Sequence, residues 1–93
     1  MDSGAFEQVF AAGQFLFTEH AQQQMAKRQL TESVALQVLH APEEILPVRE
    51  GRVVAQALLA GYLVRVFVDV DRNPFEVVTA YRTSRIDRYR SRP

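Results

Sequence analysis

Two groups of polar side chains in this sequence have the types and spacing needed for phosphate chemistry. The first comprises His20, Gln24, Lys27 and Arg28, whose helical spacing would place an imidazole and two cations along one polar stripe. Histidine exchanges protons near neutral pH, and a nearby cation stabilises the negative charge that develops on a phosphate in transfer. The stripe therefore predicts acid–base chemistry on an anionic substrate, and the alternative is an ordinary solvated helix surface.

The second group lies on two predicted strands. Side chains alternate along a strand, so Arg65, Thr79 and Tyr81 are predicted to share one open face of a sheet. A guanidinium, a hydroxyl and an aromatic ring offer an anion fork, a hydrogen-bond donor and a stacking surface, which recognition of single-stranded RNA uses. Arg82 and Thr83 follow directly and extend the group. The alternative is a solvated face built from residues that suit half-buried strands.

The sequence lacks the residues that several classes of catalytic and metal-binding site require. The sequence contains no Cys, and its two His lie twenty positions apart, so neither a metal site nor a cofactor is predicted. It contains no Gly-rich phosphate loop, nucleophile elbow or pair of catalytic carboxylates. These features narrow any enzymatic activity to metal-free acid–base chemistry.

The charge is balanced overall but unevenly distributed. The formal net charge is zero, which argues against general binding to polyanions. Residues 49–93 nevertheless contain nine Arg against five acids, and five of these Arg fall in the last twelve residues: Arg82, Arg85, Arg88, Arg90 and Arg92. This segment is predicted either to face an anionic surface or to be a solvated tail that frays over residues 90–93.

The length and a hydrophobic content of 47% predict a single domain over residues 1–93 with one core. No segment approaches the roughly 18 apolar residues of a membrane span. The first residues, M-D-S-G-A-F, carry an acid where a signal peptide would carry Lys or Arg. We therefore expect a cytoplasmic protein without membrane association.

The order of elements predicts an α+β fold. Apolar periodicity, capping residues and Pro42 predict helices over about residues 3–12, 19–28 and 31–40. Alternation and turn residues then predict four strands over residues 45–49, 52–60, 62–70 and 75–81, and a short helix over 84–89. The predicted architecture is a set of N-terminal helices on one face of a four-stranded antiparallel meander. Pro47 places the first strand at an edge, and alternation assigns Val78 and Ala80 to the core.

A resemblance to a known family rests on two segments, F-T-E-H-A-Q-Q-Q-M-A-K-R-Q-L-T (17–31) and V-V-T-A-Y-R-T-S-R-I-D-R-Y (77–89). They resemble a family of small bacterial toxin-like domains of unknown function, allied to the RelE/ParE type. The family pattern begins with His-Ala in a helix, ends in a V-x-T-x-Y strand and covers about residues 15–90. The resemblance implies a RelE/ParE-like fold, RNA binding, and a site at His20, Arg28, Thr79 and Tyr81.

The leading functional hypothesis is a metal-independent endoribonuclease of a toxin–antitoxin system. In it, His20 or Tyr81 exchanges the proton of a ribose 2′-hydroxyl that attacks the adjacent phosphate, and Arg28 and Arg65 stabilise the developing charge. Five residues are predicted to bind the substrate: Arg65, Thr79, Lys27, Thr83 and Arg82. The expected partners are RNA and a cognate antitoxin.

The alternative hypothesis is a non-catalytic protein-binding module. Such a module would dock another small protein through an edge strand or through the Arg-rich tail, and it agrees better with the zero net charge. An exposed edge strand would also favour a homodimer.

Overall fold

The computed structural model describes residues 3–91, which form a mixed α+β fold, as the order of elements predicts. Four helices lie in this range: α1 (Ser3–Ala11), α2 (Glu19–Lys27), α3 (Glu32–His40) and α4 (Ile86–Tyr89). The strands are β1 (Phe15–Phe17), β2 (Glu44–Arg49), β3 (Arg52–Leu59), β4 (Tyr62–Asp69) and β5 (Phe75–Thr83). None of the helices in this range has the length and hydropathy of a transmembrane segment.

Local sequence signals set the limits of the two central helices. The side chains of Thr18 and Thr31 cap α2 and α3, because their Oγ1 atoms accept hydrogen bonds from the backbone N–H groups of Ala21 and Val34 at 3.0 and 3.2 Å. After α2, the backbone turns at Gln29, whose φ is +55°. This turn ends the helix just before Arg28 and leaves that side chain free to extend beyond the last turn.

The sheet has five strands in the order β1-β5-β4-β3-β2, so the prediction of four antiparallel strands was incomplete. Strands β2 to β5 do form an antiparallel meander, with β2 at an edge as Pro47 predicts. Strand β1 adds to β5 in parallel, with Phe15 opposite Phe75 and Phe17 opposite Val77. The three residues of β1 are too few to show an alternation that distinguishes a strand from a turn, and the strand with which they pair lies far along the chain.

A β-bulge in β5 changes which side chains face the core. Phe67 lies opposite Thr79, whereas the next residue of β4, Val68, lies opposite Val77, so Val78 is the extra residue. Val77 is fully buried as a result, and the assignment of Val78 to the core was wrong because it assumed uninterrupted alternation. Beyond the bulge, Thr79 lies opposite Phe67 and Tyr81 opposite Arg65, on the side of β4 that faces away from the core.

The core lies between one face of the sheet and helices α1 to α3. We call this the inner face and the opposite one the outer face. The buried side chains that form the core cluster include Phe6, Phe10, Met25, Leu30, Val38, Leu39, Val64, Val66, Val68, Val77 and Ala80. Helix α4 lies against the outer face, where the ring of Tyr89 contacts the Arg65 side chain. Each face of the sheet is therefore at least partly covered, and the inner face carries the apolar core.

An ion pair on the outer face makes the stability of the fold decrease at acidic pH. Arg52 donates to both carboxylate oxygens of Asp69, at 2.6 and 3.1 Å, and the hydrogen bond from Arg52 holds the pKa of Asp69 below its ordinary value. The folded carboxyl thus binds its proton less tightly than the unfolded one. Its stabilising contribution is complete above about pH 4 and is lost as the pH falls through the lower, folded-state pKa.

We expect Asp69→Asn to lower the free energy of unfolding by about 2 kcal/mol at neutral pH, because the half-buried Arg52 loses its charged partner. The difference between this variant and wild type should shrink below about pH 4. Urea unfolding across a pH series measures this difference in stability. Asp71→Asn is the control, because the Asp71 carboxylate is exposed and lies 4.0 Å from Arg72, at the limit of an ion pair. Parallel acid profiles for wild type and Asp69→Asn would contradict the assignment.

Candidate functional site

A row of polar side chains crosses the outer face from β2 to β5. The strand register places Glu44 opposite Gln56, Gln56 opposite Arg65, and Arg65 opposite Tyr81. Directly opposed residues on neighbouring strands share a face, so their side chains can meet. Each neighbour in the row is hydrogen-bonded to the next. We call Glu44, Gln56, Arg65 and Tyr81 the cross-strand row.

Arg65 occupies the interior of this row and is held from several directions. Its Nε donates to Gln56 Oε1 at 2.8 Å, and its Nη1 donates to the hydroxyl of Tyr81 at 2.7 Å. Its guanidinium carbon lies 4.3 Å from the centroid of the Tyr89 ring, and 5.5 and 5.7 Å from those of Phe67 and Tyr81. These distances are within the range of cation–π attraction. Three aromatic rings therefore stabilise a half-buried cation.

Arg28 brings a second guanidinium to Tyr81 from the helix layer. Strand β1 covers β5 only as far as Val77, so the rest of β5 has an open edge. Arg28 extends from the end of α2 across this edge, and its Nη1 donates to Thr79 Oγ1 and to the carbonyl oxygen of Ala80, both at 3.0 Å. Its guanidinium carbon lies 6.0 Å from the centroid of the Tyr81 ring. Tyr81 is therefore flanked by one arginine on each side.

Neither flanking arginine is neutralised by a carboxylate. Among residues 3–91, Arg28 and Arg65 form no ion pair, and their Nη2 atoms donate no hydrogen bond. Other arginines in the same range do have carboxylate partners: Arg52 with Asp69, Arg72 with Asp71, and Arg90 with Glu43. Guanidinium groups bind phosphate oxygens through paired N–H donors. The surface around Tyr81 is thus suited to an anion of phosphate size.

The remaining predicted residues lie apart from this cluster. His20 is exposed in the first turn of α2, two helical turns before Arg28, which is about 12 Å along the helix axis. Within the described chain, no hydrogen bond, ion pair or ring contact joins the His20 side chain to Tyr81 or to any other residue. The Lys27 side chain is likewise exposed and makes no such contact in this range. The imidazole therefore does not belong to the cluster around Tyr81.

The two residues after Tyr81 have separate structural roles. Arg82 lies opposite Val64, an inward-facing residue, so its side chain is on the other side of the sheet from Tyr81. There its guanidinium carbon lies 5.6 Å from the centroid of the Tyr62 ring. Thr83 does share the outer side, but its Oγ1 accepts a hydrogen bond from the backbone N–H of Arg85 at 3.0 Å. Thr83 thus stabilises the turn that leads into α4.

Sequence reasoning missed Gln56 and Tyr89, both of which contact Arg65 directly. Gln56 had a detectable signal, since it is the one amide in the otherwise apolar run V-V-A-Q-A-L-L. The short Ala60-Gly61 turn also fixes the β3–β4 register and so pairs Gln56 with Arg65. Tyr89 had no comparable signal, because its position depends on how α4 docks.

The last residues of the described chain are attached to β2 and the segment before it. Arg90 Nη2 donates to Glu43 Oε1 at 3.1 Å, and the side chain and backbone N–H of Ser91 donate to Glu44. The prediction of a frayed tail over residues 90–93 extends to Arg92 and Pro93, which lie outside the described residues. As far as Ser91, these contacts hold the chain after α4 beside the cross-strand row.

A separate groove lies in the helix layer. It has a volume of about 480 Å³, and its lining includes Gln22, Met25, Ala26, Gln29, Leu30, Thr31 and Glu32. None of these residues belongs to the cluster around Tyr81. Across residues 3–91, no three His, Asp or Glu side chains are grouped as metal ligands would be.

Comparison with known proteins identifies one related family. Residues 17–82 match the family model described as Domain of unknown function (DUF4258). The match covers Arg28, Gln56, Arg65 and Tyr81 but ends before Tyr89. No curated protein and no solved structure matches the chain. The description of this family names no activity.

Proposed function

The chain belongs to the DUF4258 family, and we propose that it is a metal-independent endoribonuclease of toxin type. The observation that carries the proposal is the position of Tyr81, whose hydroxyl accepts from Arg65 and whose ring lies beside Arg28. Neither arginine has a carboxylate partner among the described residues. The resemblance of segments 17–31 and 77–89 to RelE/ParE-like toxin domains supports the same assignment. The proposal includes a cognate antitoxin, because a toxin of this type has to be neutralised in the cell that makes it.

The proposed reaction uses the substrate's own nucleophile. The ribose 2′-oxygen attacks the adjacent phosphorus, the bond from phosphorus to the 5′-oxygen breaks, and the products are a 2′,3′-cyclic phosphate and a 5′-hydroxyl. The Tyr81 hydroxyl accepts from Arg65, so its own proton is available to the leaving 5′-oxygen. The proton of the 2′-hydroxyl passes to water, which afterwards returns a proton to Tyr81.

The two arginines stabilise the transition state in this proposal. Negative charge increases on the non-bridging oxygens as the phosphorus becomes five-coordinate, and Arg28 and Arg65 carry the Nη2 groups that can donate to them. Both guanidinium groups are already held by other hydrogen bonds, so little reorganisation is needed. Thr79, which the sequence predicts to bind the substrate, accepts a hydrogen bond from Arg28 and in this proposal fixes its position. The proposal assigns no step to His20.

RNA is the substrate class that this site suits best. The proposed reaction uses the ribose 2′-hydroxyl as its nucleophile, and DNA lacks this group. The rings of Tyr81 and Tyr89 are half-buried on the outer face and offer flat surfaces on which an unpaired base can stack. Single-stranded RNA is therefore the proposed substrate.

Incubation of the purified protein with a labelled single-stranded RNA, with and without a chelator, tests the proposal. We expect cleavage that the chelator does not affect, ending in a 2′,3′-cyclic phosphate. Arg28→Gln should lower kcat/KM roughly 100-fold, because a donor to the developing charge is lost. Arg82→Gln removes the same charge from β5, on the side of the sheet opposite Tyr81, and should change kcat/KM less than about threefold.

Intact RNA after incubation with folded wild-type protein would reject the nuclease and favour the second candidate, a non-catalytic protein-binding module. The specific observation behind this candidate is the groove between α2 and α3, whose lining includes Met25, Ala26 and Leu30. Equal loss of activity in Arg28→Gln and Arg82→Gln would instead indicate a general effect of positive charge, and the site assignment would then be wrong.

A further inference from the structure

Gln56 is a polar side chain in the middle of the sheet that sequence reasoning did not single out. It is fully buried, on a strand whose neighbouring residues, Ala55 and Ala57, are also buried. Burying an amide without hydrogen-bond partners costs about 1 to 3 kcal/mol, so the folded protein has to supply partners for the Gln56 amide. Among the described residues no buried side-chain nitrogen or oxygen lacks a partner, and Gln56 is one of the residues thus satisfied.

The hydrogen bonds of Gln56 allow only one orientation of its amide group. Nε2 donates to Glu44 Oε1 at 2.8 Å and to the carbonyl oxygen of Tyr89 at 2.9 Å, while Oε1 accepts from Arg65 Nε at 2.8 Å. The reversed amide would direct its oxygen at two acceptors and its NH₂ group at a donor. Glu44 and Tyr89 together therefore hold the Gln56 oxygen towards Arg65.

This oxygen determines how the Arg65 guanidinium is rotated. A guanidinium is planar, so fixing Nε in one hydrogen bond fixes the directions in which Nη1 and Nη2 point. Nη1 then lies 2.7 Å from the Tyr81 hydroxyl, the group to which we assign proton transfer. The aromatic rings around Arg65 attract its charge but do not select a rotation about the bonds of its side chain.

We propose that Gln56 is a positioning residue for the nuclease reaction, orienting Arg65 so that its guanidinium is directed at Tyr81 and at the phosphate beside it. This inference rests on the proposed function. It goes further by assigning a role to a residue that cannot touch the substrate, because Gln56 is buried beneath Arg65 and α4. Orientation contributes to the rate of the chemical step, and a misplacement of about 1 Å can cost 100-fold.

The test compares wild type with Gln56→Met, which keeps the length of the side chain but removes the amide. We expect kcat for RNA cleavage to fall by about 10- to 100-fold while KM changes less than about threefold, since the loss concerns the transition state. Gln37→Met is the matched control, because Gln37 is exposed on α3. An unchanged kcat in folded Gln56→Met overturns the proposal.

A second measurement does not depend on activity. In ¹⁵N-labelled protein, exchange of the Arg65 Nε–H with water should be at least about tenfold faster in Gln56→Met than in wild type, because its acceptor is gone. Unchanged exchange overturns the positioning role whether or not the protein cleaves RNA. Faster exchange in a protein whose wild type leaves RNA intact supports the control of Arg65 by Gln56 and rejects the nuclease instead.

The variant Gln56→Asn covers the case in which Gln56→Met does not fold, because it keeps the amide and shortens the side chain by one methylene. The shortening withdraws the amide oxygen from Arg65 Nε, which Gln56 Oε1 reaches at 2.8 Å. We expect the Arg65 Nε–H to exchange faster than in wild type and kcat to fall by at least about tenfold. A faster exchange combined with an unchanged kcat would overturn the proposal.

Discussion

Tyr81→Phe should slow RNA cleavage by at least about 100-fold in kcat while leaving the protein folded. The variant keeps the ring that packs near Arg28, Phe67 and Tyr89, and it removes only the hydroxyl that accepts from Arg65 and supplies the proposed proton. Loss of this hydrogen bond should lower the free energy of unfolding by only about 1 to 2 kcal/mol. Cleavage rates at saturating RNA, together with urea unfolding, measure the two effects separately.

Tyr62→Phe provides the matched control for this prediction. Tyr62 is 45% exposed, and its ring lies near Arg82, so it is also a tyrosine beside an arginine but away from the outer face. Its variant should cleave RNA at the wild-type rate. If Tyr81→Phe cleaves as fast as Tyr62→Phe, proton transfer by Tyr81 is ruled out, although phosphate binding by the two arginines would still need its own test.

The largest effect on stability is expected for Phe10→Ala, which should lower the free energy of unfolding by about 4 kcal/mol. Phe10 is only 2% exposed, and its ring centroid lies 4.9 Å from those of both Phe6 and Phe15 and 6.1 Å from that of Phe75. Truncation would leave a cavity where α1 meets the parallel pair of strands β1 and β5. Domains of this size have total stabilities of about 5 to 15 kcal/mol, so the variant should be close to unfolding.

Chemical unfolding of Phe10→Ala beside Val48→Ala gives the appropriate comparison. Val48 is 47% exposed on the edge strand β2, and its truncation should change the free energy of unfolding by less than about 0.5 kcal/mol. A loss below about 1 kcal/mol for Phe10→Ala would mean that α1 contributes little to the core. It would also mean that the contacts of Phe10 with Phe15 and Phe75 do little to stabilise the pairing of β1 with β5.

The elements that sequence predicts well are those fixed by neighbouring residues. Thr18 and Thr31 lie directly before the helices they cap, and the side chains of β3 and β4 alternate around one short turn. The two errors in the sheet have a non-local origin. Strand β1 exists because Phe15 and Phe17 find partners in β5, and the bulge at Val78 is an adjustment between β4 and β5 that no local pattern reveals.

The same distinction applies to the candidate site. Alternation correctly groups Arg65 with Thr79 and Tyr81, because Thr79 and Tyr81 both follow the bulge. Helical spacing groups His20 with Arg28 on one stripe, but it gives no information on which end of a helix reaches the sheet. The turn after α2 takes Arg28 over the open edge of β5, and His20 remains in solvent two turns away.

The hydrogen bond from Arg28 to Ala80 has a consequence for self-assembly. An uncovered edge strand presents free carbonyl and N–H groups on which a strand of another molecule can add, and charged side chains at such edges are a common protection against this. Arg28 blocks this pairing at the part of β5 that β1 leaves open. One guanidinium would thus keep the molecule from growing into a shared sheet while it holds the site together, so replacing it would endanger solubility as well as activity.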